Sequence, residues 1–231
     1  NDMKTVWLVL FMLLTFPLIG IAGVSARVAP SPEEAAAYVG LHRAAQDGDA
    51  SAIATLAGQG ADLDARDSSG RTPLHVAAFA SQDEALRALA KAGADMNALE
   101  GQAYDAVTIA AVADDPELMS LAIELGNKPG NITSPYHGTA LIAAAHLGHD
   151  EVVRRLIKAG APLDHVNNLG WTALIEAVIL GDGGPRYVAT VRALVEAGAN
   201  PSIADRGGVT PLQHAKSRSF DAIAALIAAG K

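Results

Sequence analysis

The chain contains no cysteine among its 231 residues. This absence excludes disulfide bonds, thiol nucleophiles and cysteine-ligated metal sites, and it leaves the redox state of the compartment open. Aromatic residues make up only 4% of the sequence, which favours short, tightly stacked helices over a fold with a bulky central core. Basic residues are also few, since 17 Lys and Arg stand against 25 Asp and Glu for a net charge of −8. Without a basic patch, the chain is not expected to bind nucleic acid.

One long apolar run without charge, Val6 to Ile21, follows Lys4. The small residues 24–26 come shortly after it. Residues 1–26 therefore have the basic start, apolar middle and small-residue end of a secretory signal peptide. We expect the remaining chain to be exported and periplasmic. An uncleaved membrane anchor stays open as an alternative, because the run approaches the roughly 20 residues that span a bilayer.

Start and stop signals for two short helices occur together in the N-terminal half of the chain. Thr72 is a favourable N-cap, and Pro73 suits the first position of a helix. Ser81 and Glu84 have the spacing of a capping box for a second helix, and Gly93 is placed to end that helix in a left-handed conformation. A unit of this size cannot bury its own apolar face, so it requires neighbours of the same kind.

Such neighbours recur with a period of about 33 residues. Capping threonines followed by Pro-Leu or Ala-Leu stand at Thr72, Thr139, Thr172 and Thr210, and Asp105 takes the same place in a divergent unit. A stretch at 181–187 lengthens one unit and is expected to protrude from the convex side or the top of the stack. Helix-ending glycines repeat in phase at Gly60, Gly93, Gly126, Gly160, Gly198 and Gly230.

A period near 33 with a Thr-Pro-Leu-His-x-Ala pattern resembles the ankyrin repeat. The resemblance implies an all-α solenoid of six helix-turn-helix repeats over residues 38–231, with hairpin-like finger loops between repeats. Ser31 and Glu34 have capping-box spacing, so residues 27–37 are read as a linker and the start of an N-terminal capping helix that continues into the first repeat. The loop at 127–138 has an extra residue and two prolines and should differ in shape from the other fingers.

Seven histidines raise the question of a metal site, but their places in the repeats favour structural roles. His42 and His75 share the Leu-His position, where the resemblance implies hydrogen bonds to neighbouring fingers. His214 lies outside that register and has no evident partner. His146 and His149 with a carboxylate would be the weakest of the alternatives, a metal-dependent hydrolase, because a third ligand is missing. We expect no catalytic residue, no metal and no cofactor.

The resemblance places the residue before each capping threonine on the concave face, together with the ends of the first helices. Trp, Tyr and Arg at such positions are typical of interface residues. The alternative is that Tyr104 and Trp171 pack on adjacent fingers. The candidate partner-binding residues are Arg71, Phe79, Tyr104, Val112, His146, Leu147, Trp171, Ile179, Leu180 and Val209.

The resemblance implies recognition of another protein without catalysis. The chain is also similar to periplasmic bacterial ankyrin proteins, some of which are implicated in supporting catalase during peroxide stress. An immunity protein that neutralises a periplasmic toxin and a membrane-anchored scaffold stay open as alternatives. We expect a monomer that contacts neither nucleic acid nor, after cleavage of the leader, a membrane.

Overall fold

The computed structural model describes residues 29–230. The proposed signal peptide at 1–26, the first residues of the linker and Lys231 lie outside the described residues. The described chain forms thirteen helices: α1 (Pro32–Ala37), α2 (Gly40–Asp47), α3 (Ala50–Gly58), α4 (Pro73–Phe79), α5 (Asp83–Ala92), α6 (Ala106–Val112), α7 (Pro116–Glu124), α8 (Ala140–Leu147), α9 (Asp150–Lys158), α10 (Ala173–Leu180), α11 (Pro185–Glu196), α12 (Pro211–Ser217) and α13 (Asp221–Ala229).

The helices after α1 form six antiparallel pairs that stack in two rows. The inner row is α2, α4, α6, α8, α10 and α12, and the outer row is α3, α5, α7, α9, α11 and α13; each helix packs against the next in its own row. Alanine dominates the buried inner row, which lets short helices approach closely, and the core is a line of interfaces between repeats. The prediction of a six-repeat all-α solenoid is confirmed. Within residues 29–230, no helix has both the length and the apolar character needed to cross a bilayer.

The predicted cap residues begin the inner helices. Thr139 and Thr172 each accept a hydrogen bond from the backbone three residues on, and Asp105 does the same for Thr108 N–H at 2.8 Å. Asp105 therefore replaces threonine without loss of the cap. At the other end of a repeat, Gly93 has φ +101°, and a Cβ there would contact nothing within 4 Å. The glycine is required by its backbone conformation and not by crowding.

Two local predictions are wrong. Ser81 does not cap α5, because the N-cap is Gln82, and the Ser81 hydroxyl donates to Asp115 Oδ2 at 3.1 Å instead. The capping helix also does not continue into the first repeat. Its predicted start at Ser31 is correct, but α1 ends before Tyr38, and Gly40 restarts the chain with φ +55°.

Five finger loops connect the repeats, at residues 67–71, 100–104, 133–138, 167–171 and 205–209. In four of them the side-chain oxygen of the first residue accepts hydrogen bonds from the backbone two and four residues later, which closes the turn. The finger at 133–138 is different, as expected from its insertion. It closes through a bridge between Thr133 and Gly138, and Asn131 below it donates to Asp105 Oδ2 at 2.9 Å.

The insertion at 181–187 lies against the stack, so the prediction that it protrudes is wrong. Pro185, Arg186 and Tyr187 form the first turn of α11, which is longer than the other outer helices. The Tyr187 hydroxyl donates to the His146 carbonyl at 2.9 Å, and its ring lies against Gly148. The extra residues thus cover the preceding repeat.

Candidate partner-binding face

Arg71 does not belong to the exposed face, which corrects the sequence interpretation. Its side chain is only 1% exposed, and its guanidinium contacts Glu34 Oε1 at 2.6 Å and Asp67 Oδ2 at 2.7 Å. The Tyr38 hydroxyl donates to the same Asp67 oxygen at 2.7 Å. Helix α1 therefore covers the first finger, and the Arg71 side chain stabilises that cover instead of facing a partner.

His75 shows how the fingers are held against the inner helices. Thr72 N–H donates to His75 Nδ1 at 3.1 Å, so the other ring nitrogen carries the proton and donates to the carbonyls of Ala98 and Tyr104 at 3.0 and 3.1 Å. Burial lowers the pKa of His75 to about 4, because the charged ring would lose its hydration. His42 contacts the Arg71 carbonyl at 3.0 Å in the same way. The structural roles predicted for both histidines are confirmed.

Trp171 stands on a finger that is fixed from two sides. Its backbone N–H donates to Asn167 Oδ1 at 3.0 Å, and Asn167 Nδ2 donates to Glu176 Oε1 at 2.9 Å. The other Glu176 oxygen lies 2.9 Å from His146 Nδ1, on the inner helix of the preceding repeat. Glu176 is buried, so this chain of contacts ties the finger to the floor of the concave face across two repeats.

The remaining predicted residues divide by exposure. Leu180 is 41% exposed at the end of α10, whereas the other eight are partly buried. Tyr104 and Phe79 pack partly against the core, and both keep some exposed surface. The partly buried members are Phe79, Tyr104, Val112, His146, Leu147, Trp171, Ile179 and Val209.

Sequence reasoning missed the most exposed apolar side chains near this face. Tyr136 is 57% exposed on the finger at 133–138, and Leu169 lies at the tip of the next finger. Ile132 and Val166 directly precede the first residues of these two fingers and are also exposed. The two fingers are joined, since Asn168 N–H donates to the Tyr136 carbonyl at 3.0 Å. Leu169 was an available signal, because the other regular fingers have Ser69, Gln102 and Gly207 at its position.

The histidines near the candidate face contact different partners. His149 Nδ1 donates to the Ala111 carbonyl at 2.9 Å, away from the Glu176 contact of His146. His214 has a partner after all, since its Nε2 lies 2.7 Å from Asp205 Oδ2. Desolvation acts to raise the pKa of Asp205, but the hydrogen bonds from Val209 N–H, His214 and Gly207 N–H together hold it below its usual value. No group of three or more metal-ligating side chains lies within residues 29–230.

The two helical rows, the fingers and the concave face define a solenoid of tandem two-helix repeats, a class of protein whose extended surfaces bind other molecules. A model of the ankyrin-repeat family, described as ankyrin repeats in three copies, matches residues 33–100 and 107–205. The chain belongs to the ankyrin-repeat family, and it is an ankyrin-repeat domain, a protein–protein interaction module.

Similar proteins agree with this assignment. The ankyrin repeat protein YahD of Escherichia coli K12 is 40% identical over 116 residues, which cover 49% of this chain and 58% of YahD. A solved ankyrin repeat domain from Acinetobacter baumannii has a TM-score of 0.76 and 42% identity, covering 82% of this chain and 96% of that one. The ankyrin repeat protein EF0377 has a TM-score of 0.75 and 31% identity at the same coverage. The chain spans less than two thirds of the curated relatives it matches.

Proposed function

We propose that this chain is an exported, non-catalytic interaction module that binds a partner protein through the concave face of its third to sixth repeats. One observation supports this location most directly. Of the six large apolar side chains exposed within residues 29–230, five lie between positions 132 and 180. Exposed apolar surface confined to one region marks an interaction site more often than surface scattered over a molecule.

The face is also rigid in this region, which favours binding. The contacts from Trp171 through Asn167 and Glu176 to His146 fix a finger before any partner arrives. A preordered surface loses little conformational entropy on association, so more of the contact energy contributes to affinity. Leu180 and Trp171 then supply apolar and aromatic anchors of the kind that dominates measured interface energies.

Site-specific photo-crosslinking in living cells tests the face. A photoreactive phenylalanine analogue at Leu180 should capture a partner protein, and the same analogue at Tyr136 should capture the same one. Lys158, exposed at the end of the outer helix of repeat four, is the matched control on the opposite side of the stack and should not. Capture from Lys158 alone would place the interface on the convex side and refute the concave-face proposal.

Export is a separate part of the proposal and rests on the leader at 1–26. Cell fractionation should recover the chain in the periplasm, and N-terminal sequencing should find a start after residue 26. A full-length chain in the membrane fraction would instead support the anchored scaffold.

A role in peroxide stress follows from the resemblance to periplasmic ankyrin proteins that support catalase. A deletion strain should then lose catalase activity and peroxide resistance. Unchanged values of both would remove this role and leave the interaction face in place. Toxicity on deletion next to a toxin gene would favour the immunity protein.

A further inference from the structure

Two Asp-Gly sequences occur in the chain, Asp47-Gly48 and Asp182-Gly183. A polypeptide modifies itself most readily at such a sequence, because glycine has no Cβ to hinder its backbone nitrogen from attacking the side chain before it. The folded structure decides whether the attack can occur, since the glycine nitrogen and the carboxyl group must both be free to approach each other. The two sites differ in both respects.

Helix α2 closes the first site. Asp47 is the last residue of this helix, and Gly48 N–H donates to the carbonyls of Ala44 and Ala45. Asp47 Oδ1 also lies 3.5 Å from Arg43 Nη1, one turn earlier in the helix. The glycine nitrogen is therefore held in the hydrogen-bond pattern of the helix, and the carboxyl group is drawn away from it toward the preceding turn.

The insertion at 181–187 leaves the second site open. Asp182 is exposed, and neither it nor Gly183 belongs to a helix. Within residues 29–230, Gly183 N–H has no hydrogen-bond partner. The Asp182 carboxyl group folds forward along the chain, because its Oδ1 accepts a hydrogen bond from Gly184 N–H at 2.7 Å. A Cβ on Gly184 would lie 3.5 Å from Asp182 Cγ, so the carboxyl carbon lies over the backbone that carries the free nitrogen.

Packing between repeats keeps a glycine at position 183. Gly183 has φ +75°, a left-handed conformation that is costly for any residue with a side chain. An added Cβ would also meet Phe220 Cδ1 at 2.6 Å. Phe220 is the N-cap residue of α13 in repeat six. The glycine that makes the site reactive is thus required by the contact between repeats five and six.

We propose that Asp182 is a site of spontaneous modification, at which the side chain closes to a succinimide and reopens as isoaspartate. The Gly183 nitrogen attacks Asp182 Cγ and the N–Cγ bond forms, while one carboxyl oxygen leaves as water with the amide hydrogen and a proton from solvent. Water then adds to one of the two ring carbonyls. Cleavage of the new N–Cγ bond restores aspartate, whereas cleavage of the original peptide bond leaves the chain linked through Cγ. Neither step needs an oxidant, a reductant or a co-reactant other than water.

Isoaspartate changes the backbone at the start of α11. The main chain gains one methylene between residues 182 and 183, and the carboxyl group becomes attached to Cα. The hydrogen bond to Gly184 N–H is then lost, and the nearby contact of Arg218 Nη2 with the Gly181 carbonyl, at 2.9 Å, is displaced with the chain. Loss of one hydrogen bond of ordinary strength lowers the Tm of a domain of this size by roughly 2–4 °C. The modification therefore loosens the junction of repeats five and six.

Isotope labelling of the folded protein tests the site. The purified chain is kept at neutral pH for several weeks in water enriched in heavy oxygen, then digested in ordinary water, and fragment ions in mass spectrometry locate the label. Asp182 should gain heavy oxygen and appear as both aspartate and isoaspartate, because each passage through the succinimide takes an oxygen from solvent. Asp47 should react roughly tenfold or more slowly, since Gly48 N–H must first leave the helix. In urea, where the helix is absent, the two sites should react at similar rates.

Two substitutions separate this chemistry from a change in fold. Asp182→Glu keeps the charge but would have to close a six-membered ring, so uptake of heavy oxygen at this position should stop. Asp182→Asn forms the same succinimide with loss of ammonia and should react faster than the parent. Uptake at Asp182 no faster than at Asp47 in the folded chain, uptake that persists in Asp182→Glu, or an unreactive Asp182→Asn would overturn the inference. The proposed function does not depend on any of these outcomes, because they are measured on the chain without a partner.

Discussion

Arg186 Nη2 lies 2.8 Å from Asp114 Oδ2, although the two residues are 72 positions apart and belong to repeats five and three. Repeats of a solenoid ordinarily contact only their neighbours, so this ion pair links next-nearest repeats. Arg186 Nε also lies 3.5 Å from Asp150 in repeat four, and Arg218 Nη2 donates to the Gly181 carbonyl from repeat six. The insertion therefore joins the four repeats that form the candidate face.

The packing of Tyr187 contributes more to this link than the charges do. Arg186 is 53% exposed, and an ion pair with so much access to solvent contributes little to stability. Tyr187 instead covers Gly148, where an added Cβ would meet three ring atoms at 3.1–3.2 Å. We infer that the ring and the glycine form one contact, which a substitution at the glycine can measure.

Gly148→Ala should destabilise the protein more than Gly60→Ala does. Both glycines have positive φ, at +66° and +84°, so alanine at either site costs roughly 1 kcal/mol of backbone strain. A Cβ at Gly60 meets nothing within 4 Å, whereas at Gly148 it must also displace Tyr187, which adds about 1–3 kcal/mol. Urea unfolding measures both free energies. In the Tyr187→Leu background the two substitutions should cost the same; a difference that persists there would contradict the contact.

Arg71→Met should cost about 3 kcal/mol of unfolding free energy, whereas Glu34→Gln should cost well under 1 kcal/mol. Removing the buried guanidinium leaves Asp67, itself mostly buried, without its charge partner. Glu34 is 37% exposed, so water replaces much of what its removal takes away. Thermal or urea unfolding of the two variants measures the difference. If both variants lost the same unfolding free energy, the loss of Arg71 would not leave Asp67 as a destabilising unpaired charge.

The repeat register could be predicted from the sequence because its signals are local. Caps such as Thr139 and stops such as Gly93 act within a few residues, so each position carries its own evidence. His75 could be placed through the resemblance, which implies hydrogen bonds from the Leu-His position to a neighbouring finger, and Ala98 and Tyr104 are such partners.

The failures concern contacts between residues distant in the chain. Arg71 has the spacing of an exposed finger residue, but its buried guanidinium contacts Glu34, 37 positions earlier, as well as Asp67. The side chains of Arg186 and Tyr187 similarly reach back to repeats three and four, which no local pattern indicates. Tyr136 was missed because an inserted residue shifts its finger out of the regular register.

Thr190→Val should raise the unfolding free energy by roughly 1 kcal/mol. The Thr190 hydroxyl is fully buried in α11 and has no hydrogen-bond partner, so it loses hydration on folding without compensation. Valine has nearly the same shape and removes that penalty. Thr108→Val is the matched control with the opposite sign, because Thr108 donates to the buried Thr133 hydroxyl at 3.0 Å. In urea unfolding, Thr190→Val should have a higher unfolding free energy than the parent, and Thr108→Val should have a lower one.

His75 should make the protein less stable as pH falls from about 6.5 to about 4. Burial lowers its pKa in the folded state to about 4 from 6.5, so over this interval the unfolded chain binds a proton that the folded chain does not. Stability is then fully retained above pH 6.5 and falls by roughly 3 kcal/mol by pH 4 from this residue alone. Unfolding free energies measured by urea across this range give the slope.

His75→Gln isolates this contribution, because repeat six already uses glutamine at the same position. There Thr210 N–H donates to Gln213 Oε1 at 2.8 Å, the contact that Thr72 makes with the His75 ring. Glutamine does not titrate, so the variant should be less stable than the parent at pH 7, where the histidine contacts to Ala98 and Tyr104 are lost, yet have the flatter pH profile. All other titrating groups cancel in the difference between the two profiles. Parallel profiles would mean that the ring is protonated as readily in the folded protein as in the unfolded chain.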